Sequence, residues 1–263
     1  MPLQAVIVNA DDLGLDSATN AGIFWAFEQG LISSTTVMAN MPSFEEAAKE
    51  IKARGLVGRI GVHLNLVEGR PLTKSILSCD RFCTPDGMFH GELRGKGKWF
   101  QMTSLEVDAV WEELAAQVGA CRRLLGEPTH LDSHCHFHYS WSIGRLVAKL
   151  ASSEKIMAVR LNINFHGSRR ASRRLIRYAY NLRLYLAGLT RVHYFTTGKE
   201  IGSLERLNGI AEVMVHPKMV AGDRVIDAEM GVELSSVLDL LKPIKLISYK
   251  DRLSHSGKCL PAF

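Results

Sequence analysis

The 263-residue sequence lacks any long apolar run. Its uninterrupted hydrophobic stretches are a few residues each, against the roughly 18 that a membrane-spanning helix requires. The opening, MPLQAVIVNADDLG, meets two aspartates before a signal-peptide pattern develops, so an unexported, cytoplasmic protein is expected. Cysteine is sparse and odd in number. Cys79, Cys83, Cys121, Cys135 and Cys259 form neither a CxxC pair nor a tetrahedral zinc set, which argues against a disulfide scaffold and predicts free or buried thiols. Linkers, internal repeats and low-complexity tracts are also missing, and one domain over residues 1–263 is expected. Acidic residues are absent from one long stretch: Arg160 to Lys199 holds nine lysines or arginines and no aspartate or glutamate, although the net charge is only +5.

What is present suits a globular protein: 46% of residues are hydrophobic and 22% charged, and a chain of this length can bury about 70% of its extended surface. Short apolar, β-branched segments recur at Gln4–Asn9, Ser34–Ala39, Arg59–Leu64, Thr129–His134, Met157–Leu161, Val192–Thr196, Ala211–His216 and Lys245–Tyr249, with helix-like stretches between them. Alternation of this kind predicts an α/β fold with a parallel sheet, most simply a single, closed or nearly closed (β/α) barrel. Helices are expected over Ala18–Gln29, over Ser43–Arg54 with Ser43 and Glu46 as a capping box, and from a Thr103 or Ser104 cap toward Gly126. Residues 68–101 form an irregular, glycine-rich insertion suited to a lid or cleft wall. Residues 169–187 read as a basic helix, with Leu175, Ala179, Leu182 and Leu186 on one face and Arg170, Arg173, Arg174 and Arg177 on another. That face suits an anionic substrate, a membrane surface or plain solvation. No reading module for nucleic acid accompanies it.

Four apolar strands run directly into ionisable residues: Asn9, Asp11 and Asp12 after the first, His63 near the end of the third, THLDSHCHFH at the fourth and His216 at the seventh. Ligands bind beyond the carboxyl ends of strands in α/β folds, so these positions converge. His130, Asp132, His134, His136 and His138 share one parity and point to one side while the strand stays extended. A carboxylate with two imidazoles suits a divalent metal with open coordination positions, and Asp12, His63 and His134 make the ligand set. His138, four residues after His134, is a rival to His63. Zinc, magnesium and manganese all remain compatible. Asp132 suits a hydrogen bond to a ligating imidazole. Arg160 suits orientation of Asp11, a contact with a sugar or phosphate oxygen, or a structural ion pair. Asn9 and Asn65 are further shell candidates. Phe89, Trp99, Phe100 and Trp141 are candidate sugar platforms, Trp141 with core packing favoured.

The motifs NADDLG, STTVMAN, IGVHLNLVEGRPL, PTHLDSHCHFH, AVRLN and AEVMVHP, in this order from residue 5 to about 251, resemble the YdjC-like carbohydrate deacetylases, which include chito-oligosaccharide deacetylases. The resemblance implies an often irregular (β/α) barrel related to the polysaccharide deacetylase and glycoside hydrolase barrels. It implies one divalent ion, commonly magnesium, on Asp12, His63 and His134, with Asp11 as catalytic base and His216 as acid. Beside these, Arg160, Asn65 and Asp132 are read from their positions as substrate-binding or orienting residues. That substrate would be an N-acetylated amino sugar or chito-oligosaccharide. A weaker likeness to hopanoid-associated members leaves room for a lipid-linked sugar and a membrane-peripheral setting, and an oligomer is left open. Leu13 departs conservatively from the commoner NADDFG. The competing readings are a metal-dependent hydrolase of another amide, ester or phosphate, and a non-catalytic sugar-binding barrel.

Overall fold

In the computed structural model, described for residues 3–91, 101–164, 171–253 and 259–261, the β-branched run near the start becomes strand β1 (Leu3–Leu13), buried along nearly its whole length. Around it lie β2 (Ser34–Val37), β3 (Ile60–Leu64), β4 (Leu131–Ser133), β5 (Tyr194–Thr197) and β6 (Gly209–Val215). They form one parallel sheet in the order β4-β3-β2-β1-β6-β5. Consecutive parallel strands need helical crossovers, and the helices cover the outside.

Helix α1 (Ser17–Glu28) starts at Asp16, whose carboxylate accepts the Thr19 amide at 2.7 Å. Helix α2 (Phe44–Ala53) begins after Ser43 as expected, but no capping box forms. Ser43 makes no side-chain cap, and Glu46 instead accepts the Ser17 hydroxyl at 2.7 Å. The box forms at α3 (Ser104–Leu125), where Thr103 and Glu106 satisfy each other's amides, and the helix ends at Gly126 with φ 79°. Helix α4 (Trp141–Ser153) is capped by Ser140.

The sheet is curled but not closed by full ladders. The expected strand Met157–Leu161 makes one bridge, Val159 to Leu131, because β4 ends after three residues. The gap to β5 is spanned by a few bonds: the Leu131 amide to the Ala158 carbonyl and the Arg160 amide to the Leu131 carbonyl on one side, and Asn164 to the Phe195 amide and His193 carbonyl on the other. The expected strand Lys245–Tyr249 likewise shrinks to a bridge between Leu246 and Val6. β2 joins β1 only from Asn9 onward, so the edge below it is the place open to this segment. Unforeseen in the sequence, β7 (Pro217–Val220), β8 (Arg224–Asp227) and β9 (Val232–Glu233) form a separate antiparallel sheet against α1.

Helix α5 (Ala171–Leu186) occupies the basic segment but is rotated from the expected setting. Asn181 exchanges hydrogen bonds with the Asn162 amide and carbonyl, which turns Tyr180, Asn181 and Leu184 inward and leaves Leu175 and Leu186 outside. Arg170 and the Arg173 side chain lie outside the described residues, as do Trp99 and Phe100. No helix among the described residues is long and apolar enough to cross a membrane.

Candidate active site

The curled sheet has a polar interior near the carboxyl ends of its strands. Lowest sits His130, stacked on Tyr249 at 3.8 Å, with room made by Gly61, where an added Cβ would fall 2.5 Å from His130 Nδ1. Above it is a cage of buried charge. Arg160 is fully buried and places Nη1 2.6 Å from Asp11 Oδ2 and 2.8 Å from Asp132 Oδ2, Nη2 2.7 Å from Asp11 Oδ1, and Nε 2.8 Å from Glu212 Oε1. Glu212 also accepts the Tyr249 hydroxyl at 2.7 Å. Arg160 thus spends its donors on carboxylates and is not among the residues that line the cavity described below. Burial alone would raise the Asp11 carboxyl, but Arg160 outweighs it and holds the group far below the usual carboxylate range.

The top layer depends on a bulge. β1 and β2 lose register between Ala10 and Leu13, and Asp12 takes φ 70°, a left-handed conformation uncommon for a residue with a side chain. In a regular strand neighbouring side chains face opposite ways; here Asp11 and Asp12 both line one cavity of about 390 Å³ with His63, His134, Cys135, His136 and His216. Asp12 Oδ1 lies 3.1 Å from His63 Nε2 and 2.8 Å from His134 Nδ1. His63 is oriented from behind: Asp132 Oδ1 is 2.7 Å from its Nδ1, and Thr36 donates to the other Asp132 oxygen at 2.9 Å. On the outer side, Glu68 Oε1 lies 2.6 Å from His134 Nε2.

Asp12, His63 and His134 offer ligand atoms all within 4.8 Å of one another, and their chemistry fits a divalent ion. The charge balance around them agrees, since an ion there would take the place of the imidazole protons. Burial disfavours a charged imidazole, yet Asp132 and hydrogen bonds to the Asp12 and Asp132 carboxylates push His63 up to about 10. The same opposition, decided by Asp12, Cys135 and Glu68, pushes His134 up to about 12. Burial would raise Asp12, but these two histidines hold it well below the normal carboxylate range. The pocket therefore favours positive charge where the three residues meet. A second grouping, Asp11 with His63 and Asp132, already has its cation in Arg160 and is read as an ion-pair cage.

The other expected site residues fall as follows. The extended parity of THLDSHCHFH holds through His134 and then breaks: His134–Tyr139 forms a tight turn with Cys135 and His136 at φ 51° and 54°. His136 consequently lines the cavity, its imidazole driven down to about 3 by burial and then by Arg160. His138 turns away from the Asp12 cluster, with Nδ1 against the Ser133 hydroxyl and its ring among Tyr139 and Tyr180. Asn65 is buried and ties its own loop, accepting the Val67 and Glu68 amides and donating to the Glu68 carbonyl, so it does not reach the cavity. The same loop is pinned to α3, where Gln117 pairs with the Asn65 backbone and Glu113 accepts the Leu72 and Thr73 amides. Asn9 donates to Asp11 Oδ1 at 2.9 Å. Phe89 is buried in the core, and Trp141, more exposed than expected, faces a different groove.

His216 directly follows β6 on the cavity wall, with its amide on Asp227 Oδ2 at 3.0 Å and its Nδ1 3.6 Å from Glu229 Oε2. Asp227 also accepts the Glu229 and Met230 amides, so one carboxylate fixes the return that brings Glu229 beside His216. Sequence reasoning missed Glu68, Glu212, Tyr249, Asp227 and Glu229. Glu68 and Glu212 carried a signal, as charges inside NLVEG and inside an otherwise apolar strand; the others carried none.

The profile of the YdjC-like protein family matches residues 5–239. Among curated relatives, a chitooligosaccharide deacetylase of Yersinia enterocolitica is 36% identical over 164 residues, 60% of this chain and 60% of its own length. One of Salmonella paratyphi B is 34% identical over 157 residues, 58% of each chain. The chain thus spans about 60% of the length of the relatives it matches. The crystal structure of a proposed cellobiose-phosphate cleavage protein from Enterococcus faecalis V583 shares the fold, with a TM-score of 0.71 at 22% identity over 94% of this chain and 98% of that one.

Proposed function

The chain belongs to the YdjC-like family, and on that footing we propose that it is a metal-dependent hydrolase removing the acetyl group from an N-acetylated amino sugar or chito-oligosaccharide. The observation that carries this reading is the meeting of Asp12, His63 and His134 at one cavity whose walls also hold Asp11 and His216. The amino-sugar class comes from the names of the curated relatives. A divalent ion bound there, magnesium by family resemblance, supplies Lewis acidity toward water and the acetyl carbonyl.

Asp11 is the base. Its two oxygens offer about four acceptor directions, and Arg160 with Asn9 fills three, leaving one on Oδ2 to receive the proton of the attacking water. The arginine fixes that direction and keeps the group ionised, at the expense of basicity. His216 donates to the departing amine, with Glu229 Oε2 3.6 Å from its Nδ1. Neutral His136 adds a polar wall without a competing charge.

The test is a mass-spectrometric screen of acetylated mono-, oligo- and lipid-linked amino sugars with metal-loaded protein. Loss of acetyl mass with matching acetate release is expected, falling roughly 10²- to 10⁴-fold in Asp11→Asn and His216→Ala. Turnover of a different acyl or phosphate substrate through the same residues, with every amino sugar untouched, refutes the assignment.

A further inference from the structure

The outward side of α5 carries what a soluble surface usually hides. Leu175 and Leu186 are 67% and 70% exposed, Tyr178 is exposed and Leu182 is half-buried. Positions 175, 178, 182 and 186 recur at helical spacing, so they form one stripe. Beside it on α4, Trp141 is 37% exposed beneath the Arg183 guanidinium, 3.6 Å from the ring centroid. Arg145 and Lys149 follow Trp141 at intervals of four along α4 and line a groove of about 560 Å³ with Met102, Val107 and Leu146.

Among the described residues, Arg145, Lys149, Arg174, Arg177 and Arg183 have no carboxylate within ion-pairing distance. Nη1 of Arg177 and of Arg183 is buried with no hydrogen-bond acceptor. Partial burial and then the neighbouring Arg145 lower the Arg183 guanidinium. Leucines, an aromatic and unpaired guanidiniums on adjacent helices call for a surface that is at once apolar and anionic. Nucleic acid would satisfy the charge and leave the leucines wet. A second copy would set the same cations against themselves across a two-fold axis.

We infer that the outer face of α4 and α5 docks the protein on an anionic phospholipid bilayer, with the leucines at the acyl boundary and the arginines on lipid phosphates. Helix α4 begins immediately after the His134–Tyr139 turn, so docking brings the rim of the catalytic cavity toward the membrane plane. The inference does not depend on which substrate the cavity takes.

Flotation of the full chain tests it, using phosphatidylcholine vesicles with and without about a third phosphatidylglycerol, at low and high salt. Binding to the anionic vesicles, weakened by salt, is expected. Leu175→Glu with Leu186→Glu should weaken it roughly tenfold per leucine. Arg145→Gln and Arg183→Gln should each weaken it about fivefold. Leu240→Glu, an exposed leucine on another element, should leave it unchanged, with circular dichroism reporting the fold of each variant. Equal or negligible binding to both vesicles overturns the inference. So does a dimer that Leu186→Glu dissolves while vesicles stay unbound.

Discussion

Arg160→Met removes one side chain and strands three carboxylates. The methionine fills much of the buried stem but replaces none of the contacts to Asp11, Asp132 and Glu212. Removing one partner of a buried ion pair costs about 3–5 kcal/mol, because the remaining charge loses its compensation. Three carboxylates do not triple the penalty. Asn9, Thr36, His63 and Tyr249 still donate to them, and burial, no longer opposed, lets a carboxyl take up a proton. A loss of about 3–5 kcal/mol at 2–4 °C each lowers the melting temperature by roughly 6–20 °C.

The pH dependence gives the sharper test. In the wild type the folded Asp11 carboxyl lies far below its ordinary 3.8, so its contribution is present above 3.8 and fades as pH falls below it. In the variant, burial raises the folded group above 3.8. Its folded form then binds more protons than the unfolded chain, and stability rises as pH falls toward 3.8. Calorimetry at several pH values should therefore show the deficit narrowing on acidification, and the acid limb of acetate release should move toward neutrality. An unchanged melting temperature, or a deficit that widens in acid, refutes the reasoning.

Three further outcomes are expected. Calorimetric titration with magnesium, manganese or zinc should find binding lost in Asp12→Asn and weakened about 10- to 100-fold in Asp132→Asn, while Asp11→Asn retains it. Glu113→Ala leaves the Leu72 and Thr73 amides and Gln117 Nε2 without their shared acceptor and should cost about 1–3 kcal/mol in urea unfolding, with faster proteolysis of the loop after Asn65. Burial holds His130 well below 6.5, so the wild type gains no proton there when folded and loses stability as pH falls below 6.5. Compared in urea at about pH 7.5 and pH 5, His130→Gln should lose about 2 kcal/mol less on acidification than the wild type.

Strand ends were legible because polar residues interrupt apolar runs there, and Asp11, Asp12, His63, His134 and His216 all line the cavity. Alternation located the strands but not which of them pair: Met157–Leu161 and Lys245–Tyr249 have strand-like sequences and one bridge each, since pairing depends on the neighbour's length and register. Parity failed after His134 for a local reason, the left-handed backbone at Cys135 and His136, neither of them a glycine. The capping box at Thr103 formed and the one at Ser43 did not, because Ser17 offers Glu46 a different hydroxyl. For α5, apolar spacing identified a stripe but not its direction; a single asparagine pair with Asn162 set the rotation. Residues such as Asp227 act through backbone amides brought near by the fold, and nothing in their local sequence announces it.

The layers of the interior are joined in a way that pairwise contacts do not convey. Asp11 holds Nη1 and Nη2 of Arg160; Nη1 also reaches Asp132 Oδ2; Asp132 Oδ1 holds His63 Nδ1; and His63 Nε2 reaches Asp12. Asp11, the proposed base, and the candidate metal ligands are therefore the two ends of one chain of charge-assisted hydrogen bonds with little freedom to move independently. A shift of Arg160 displaces the lone pair of Asp11 and releases Asp132, and with it the ring of His63. Substitutions at Arg160 and Asp132 should accordingly be non-additive in both metal affinity and stability, with an interaction energy of about 0.5–3 kcal/mol in a double-mutant cycle. Additive effects would mean that the base and the ligand set are positioned separately, and that the shared guanidinium fills space and balances charge without coupling them.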